Sequence, residues 1–291
     1  MSTFVVYTYQ FAPKVKDREQ YSELFPDKDV SPDKIMEKKQ ETFQSLFDDD
    51  SAFTFTVDNE TFNHRILLNS GGIIMLKIAN NKKIFHEENF VVKSIDDQPS
   101  SIVIIDNRKD CQSIAIQDKR SSFSSTDQIA GIMKKSFNAV LWNRLLVVDI
   151  RRRLEEKSFW QLVGHYPSGI KAVRFGIPYP NLPRVSDNVR DLFKDMAKEF
   201  GANSKYEIDA IEGQSLRLAE SNEYLRELVH ASSESGHDIM VQPIGSGRRW
   251  VSTGTTSKVA IDVPDYLFKT VEERLFDDRF ERIAQIMNRF K

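Results

Sequence analysis

The sequence predicts an α+β fold in which a strand-rich N-terminal module leads into an α+β C-terminal module with a long terminal helix. Three observations predict it. Short alternating runs separated by Gly and Asn turns fill residues 53–116. Helical apolar stripes bounded by caps and stops occupy 125–142 and 186–200. Near the end, Phe276, Phe280, Ile283, Met287 and Phe290 recur at spacings of four, three, four and three.

Phe4 to Phe11 alternates aromatic and aliphatic residues with Tyr and Thr and reads as the opening strand. Ser31 as N-cap and Pro32 as first helical residue then announce a helix with Ile35, Met36, Phe43, Leu46 and Phe47 on one stripe. It lies in an acidic segment, because residues 17–60 hold thirteen Asp/Glu against five Lys/Arg. Such a segment repels nucleic acid, and its helix either docks on its own sheet or presents a protein-binding surface. FTFTV, FNHRILLN, IIMLKI, FVVKSI, SIVIID and SIAIQ follow as strands of a mainly antiparallel sheet, with turns at Ser70-Gly71-Gly72 and Asn80-Asn81. A helix from Ser125 to Trp142, with Ile129, Ile132, Met133, Phe137, Val140 and Leu141 on its apolar side, closes this module. At 291 residues, with 40% hydrophobic content, the chain accommodates two domains, which the change of pattern places at 1–143 and 144–291.

The second half alternates strands at 145–152, 170–177, 204–211 and 238–243 with helices near 156–165, 186–200 and 220–233. Short strands around Arg249 and Val259 precede a terminal helix from about Asp265. The terminal seam either docks on the chain's own sheet or forms a homodimer contact.

Charge singles out residues 144–177, where seven Lys/Arg meet three Asp/Glu, a local balance of +4 in a chain whose net charge is −2. Arg151, Arg152 and Arg153 end one strand, and Lys171 and Arg174 lie on the next. Gly245-Ser246-Gly247-Arg248-Arg249-Trp250 adds flexible backbone, two cations and an aromatic ring suited to stacking, without the spacing of a Walker loop. These residues suit phosphate positioning without a base code. Asp106 and Asp110, at a strand end, are the weaker alternative of a metal-dependent nuclease, against the plain reading of a charged hairpin turn.

No HExxH pairing of the five histidines and no GxSxG elbow is present, so the sequence points to no metal, no cofactor and no hydrolase triad. The single cysteine, Cys111, reads as a half-buried strand residue and excludes an intrachain disulfide. No apolar run reaches the roughly 20 residues of a membrane helix and the N-terminus lacks a signal-peptide pattern, so a soluble cytoplasmic protein is expected.

The order SIVIIDNRKDCQSIAIQ, FSSTDQIAGIMKK, LLVVDIRRR and IKAVRFGIPYP, over most of residues 100–212, resembles the layout of the lambda Rex-type phage-exclusion proteins. FVVYTYQF and the IDNR stretch are similar to uncharacterised bacterial proteins encoded near antiviral genes. The resemblance implies sequence-independent binding of duplex DNA by a homodimer, and signalling to a separate effector, a membrane-bound one included. The mildly acidic total charge departs from that pattern.

Overall fold

The N-terminal strand β1 (Ser2–Pro13) runs through the centre of a computed structural model that describes residues 1–14, 31–48, 53–177, 204–253, 259–268 and 276–290. Val5, Tyr7, Tyr9 and Phe11 point to one face and Phe4 and Val6 to the other, and all six are buried. A strand covered on both faces needs apolar residues at both phases of its period-two alternation. One edge of β1 pairs with β9 (Ser113–Gln117). The other edge is shared by β10 (Leu146–Arg152), opposite Tyr7 to Pro13, and β15 (Ala260–Val263), opposite Ser2 to Val5. Between them, Arg153 N–H donates to the Val6 carbonyl at 3.0 Å, and Val6 N–H donates to the Val259 carbonyl at 2.8 Å. Beyond β9, β8 (Ser100–Asp106), β5 (Ile73–Ala79) and β4 (His64–Ser70) complete a seven-stranded antiparallel sheet.

On the first face, Leu76, Val103, Ile105 and Ile114 meet α3 (Thr126–Leu141) through Ile129, Met133 and Phe137. Ser125 Oγ accepts from Gln128 N–H at 3.2 Å and starts α3 where the sequence places its cap. The helix expected over 31–47 is instead broken at Lys38 into α1 (Pro32–Glu37) and α2 (Lys39–Gln44). Ser31 still caps the first, and beyond the break Phe43 and Phe47 join Tyr9, Phe53 and Phe137 in one aromatic cluster. The apolar stripe of the acidic segment thus docks on its own core. A small hairpin of β2 (Phe55–Val57) and β3 (Glu60–Phe62) lies beside α3.

On the second face, Phe4, Ile73, Met75, Ile102 and Ile104 meet the terminal helix α6 (Phe276–Met287). Ile283 and Met287 are wholly buried and Phe290 nearly so, while the Phe280 ring packs against Gly71. Of the two readings of the seam Phe276, Phe280, Ile283, Met287 and Phe290, docking within the chain describes Ile283, Met287 and Phe290, which are enclosed by the chain's own sheet and so are not open to a homodimer contact. Periodicity reveals that a helix face is covered, and it does not say by what. The expected helix start near Asp265 is a 3₁₀ turn, Asp265–Phe268, and α6 is described over Phe276–Met287.

A second antiparallel sheet has the order β12 (Ser204–Asp209), β11 (Ile170–Ile177), β13 (Met240–Pro243), β14 (Val251–Ser252). α4 (Lys157–His165) and α5 (Glu223–Glu234) cover one face through Phe159, Leu225 and Val229, packed on Val173, Phe175 and Val241. The helix expected at 186–200 lies outside the described residues. The expected division at 143/144 does not part the two sheets, since β10 and β15 come from beyond it and complete the first. Among the described residues two further strands, β6 (Lys82–Glu88) and β7 (Val91–Asp97), pair only with each other. Among the described residues no helix is long and apolar enough to cross a membrane.

Candidate nucleic-acid interface

The three consecutive arginines leave β10 in different directions, and each meets an acid. Arg151 donates through Nε to Asp149 at 2.6 Å, and the other oxygen of Asp149 is 2.5 Å from Lys134 Nζ. Burial alone would raise the Asp149 pKa, but Lys134 and Arg151 hold it below its ordinary value. Arg152 turns to the opposite face and pairs with Asp127 in the first turn of α3, whose carboxylate also accepts from the Tyr7 hydroxyl at 2.7 Å. Arg153 forms an ion pair with Glu234 at the end of α5, and both side chains are largely buried. Its guanidinium also sits 5.2 Å from the centre of the Phe290 ring. The arginine run is therefore met by one acid of its own strand, Asp149, and by two brought in from elsewhere in the chain, Asp127 and Glu234.

The remaining sequence-predicted cations gather on the second sheet. Arg174 donates to Glu207 on β12 at 2.7 Å and lies 4.3 Å above the half-buried Trp250 ring. Lys171, on the same strand, is exposed. The β13–β14 loop is pinned by Ser246 Oγ to the Pro243 carbonyl (2.7 Å) and by Gln242 Nε2 to the Gly247 carbonyl (2.7 Å). Gly245 and Gly247 have φ of 83° and 65°, which suits glycine, and a Cβ on either would touch nothing. Their role is to turn the backbone, and the turn leaves Arg248 and Arg249 exposed beside the Arg174–Trp250 stack. The loop and β11 thus combine three exposed cations with a cation-covered aromatic ring.

Asp106, the first carboxylate of the nuclease alternative, is fully buried and clamped by Arg108, with Nε and Nη2 at 2.9 and 2.5 Å from its two oxygens. Both oxygens are taken, so Asp106 is a turn lock and not a metal ligand facing solvent; Asp110 is exposed on the same turn. Cys111 also lies on this turn instead of in a strand, and it is buried. Burial, reinforced by Asp106, pushes its thiol up to about 12, which keeps it protonated and unreactive at neutral pH.

One cluster was not singled out by the sequence. His230 and Glu234, four apart on one face of α5, converge with Glu156 at the start of α4, and their ligand atoms lie within 4.8 Å of one another. Glu156 Oε1 is 2.7 Å from His230 Nδ1, and that hydrogen bond holds the Glu156 carboxyl below its ordinary range. The i, i+4 pair was legible; the arrival of Glu156 was not. Arg153 already neutralises Glu234, so a divalent cation entering here would have to displace the guanidinium. His237 is held differently: its ring packs on Gly176, Nε2 is buried with no hydrogen-bond partner among the described residues, and burial pushes its pKa down to about 4.

No protein-family model matches the chain, and no curated protein matches it.

Proposed function

We propose that the chain is a nonenzymatic nucleic-acid-binding protein that engages duplex DNA without sequence preference, in the phage-exclusion setting implied by its resemblance to the Rex-type proteins. The observation that carries the reading is the pinned β13–β14 loop, with Arg248 and Arg249 exposed beside the Arg174–Trp250 stack and Lys171 nearby. These groups reach phosphates as point charges and offer a stacking surface, and none of them encodes a base. Arg151, Arg152 and Arg153 take a supporting part, because each is engaged by an acid of the same chain. The nuclease alternative loses its first ligand to the Asp106–Arg108 clamp, and the regulator alternative loses the apolar stripe of α1 and α2 to the core.

Fluorescence anisotropy with labelled duplex DNA over a series of salt concentrations tests the reading. Each phosphate contact releases condensed counterions and contributes a log–log slope of about −0.9. R248A/R249A should weaken binding and flatten the slope by about 2, while scrambling the DNA sequence leaves both unchanged. Absence of salt-sensitive binding at low ionic strength, or an R248A/R249A variant that binds like the parent, overturns the proposal.

A further inference from the structure

The β6–β7 hairpin stands apart from both sheets and exposes apolar side chains on both faces. Phe85 is 71% and Phe90 96% exposed, and Ile84, Val91, Val92 and Ile95 are exposed as well. A lone two-stranded ribbon with both faces wet is marginal in water, and an open apolar edge invites another strand.

The turn determines which residues offer that edge. Asn89 and Phe90 both have positive φ (51° and 63°), and Glu88 pairs with Val91 across them. A two-residue turn of this mirror-image type closes on a pair that exchanges both backbone hydrogen bonds, and such pairs recur at every second residue. Lys82, Ile84, His86 and Glu88 therefore direct their N–H and C=O groups at β7. Lys83, Phe85 and Glu87 direct theirs outward, where no described residue pairs with them.

The outward strand reads Lys-Lys-Ile-Phe-His-Glu-Glu, with cations before Phe85 and anions after it. We propose that a second copy of the chain pairs its own β6 with this edge, antiparallel about a two-fold axis at Phe85. Phe85 then meets the partner's Phe85, Lys83 meets the partner's Glu87, and Lys82 meets the partner's Glu88. The residues with outward backbone groups are the ones that this register bonds. Centring the axis on Lys83 or on Glu87 sets like charges opposite each other. The outer edge of β7, centred on Ser94, brings Val92 against Asp96 and no opposite charges together. A two-fold contact of this kind joins two hairpins into one four-stranded ribbon and covers the Phe85 edge. It is independent of the nucleic-acid reading, since it uses none of the cations named there.

Sedimentation of the full chain across micromolar to submillimolar concentrations should show a monomer–dimer equilibrium. E87K, whose side chain would face the partner's Lys83 and only Val92 within its own hairpin, should raise the dissociation constant at least about tenfold. The exchange K83E/E87K restores opposite charges across the axis and should recover most of the association, although K83E opposes Asp96 within the hairpin. Near-UV circular dichroism should stay unchanged, because the hairpin belongs to neither core. Under mild oxidation F85C should give a covalent dimer, since bonded antiparallel residues sit about 5.5 Å apart, within disulfide range. The native Cys111 is buried, and S94C should remain uncrosslinked. A monomer at every concentration, an E87K dimer as tight as the parent, an exchange variant no better than E87K alone, or crosslinking through S94C instead of F85C each overturns the proposal.

Discussion

Replacing Arg153 by Ala removes a guanidinium that forms a buried ion pair with Glu234. The two side chains are 14% and 9% exposed, so the pair belongs with interior ion pairs and not with solvent-screened ones. After R153A the Glu234 carboxylate stays where it is, beside the Glu156 carboxylate and away from water. Removing one partner of a buried pair costs about 3–5 kcal/mol, and the lost contact with Phe290 adds roughly 0.5–1 kcal/mol. Because R153A takes away the guanidinium and keeps the carboxylate, whereas R153M/E234M replaces both charges, R153M/E234M should recover most of the loss. Chemical denaturation of the three proteins, the parent, R153A and R153M/E234M, measures all of this. A loss under about 1 kcal/mol, or a double variant as unstable as R153A, would refute the reasoning.

Two further substitutions probe other parts of the chain. Met287→Ala empties a fully buried position under the first sheet and should cost about 2–5 kcal/mol by denaturation; its sedimentation should match that of the parent, because α6 docks within the chain. His237→Gln tests the buried imidazole, whose pKa falls from 6.5 to about 4 in the fold. The unfolded chain binds that proton first, so this contribution is complete above the unfolded value and is lost as pH drops toward the folded one. Relative to H237Q, the parent should lose up to an order of 3 kcal/mol over that window, and parallel stability curves would disprove it.

Most of the strands and α3 were legible because their signals are local. β11 lies where its alternation places it, and Ser125 caps α3 in the expected register. β6 was missed for an equally local reason: Lys82-Lys83 and Glu87-Glu88 bracket only two apolar residues, and neither face carries the alternation that a half-buried strand needs. The arginine run misled because a count of neighbours in sequence ignores partners in space. Asp127 stands 25 residues before Arg152, Glu207 stands 33 after Arg174, and Glu234 comes in on α5. The seam at Ile283 and Met287 carried the right periodicity and no information about what would cover it.

The division of one β1 edge between β10 and β15 has a consequence for the order of assembly. On that edge, Ser2 to Val5 find their partners only once Ala260 to Val263 have been made. At about 5–20 residues per second, the first strand emerges roughly 12–50 s before the last one that closes it. Throughout that interval the nascent chain holds an open, apolar edge, and its sheet cannot be completed from the N-terminus onward. Pairing at such long range also places the molecule among slow folders, whose rate is governed by topology more than by the strength of any one contact.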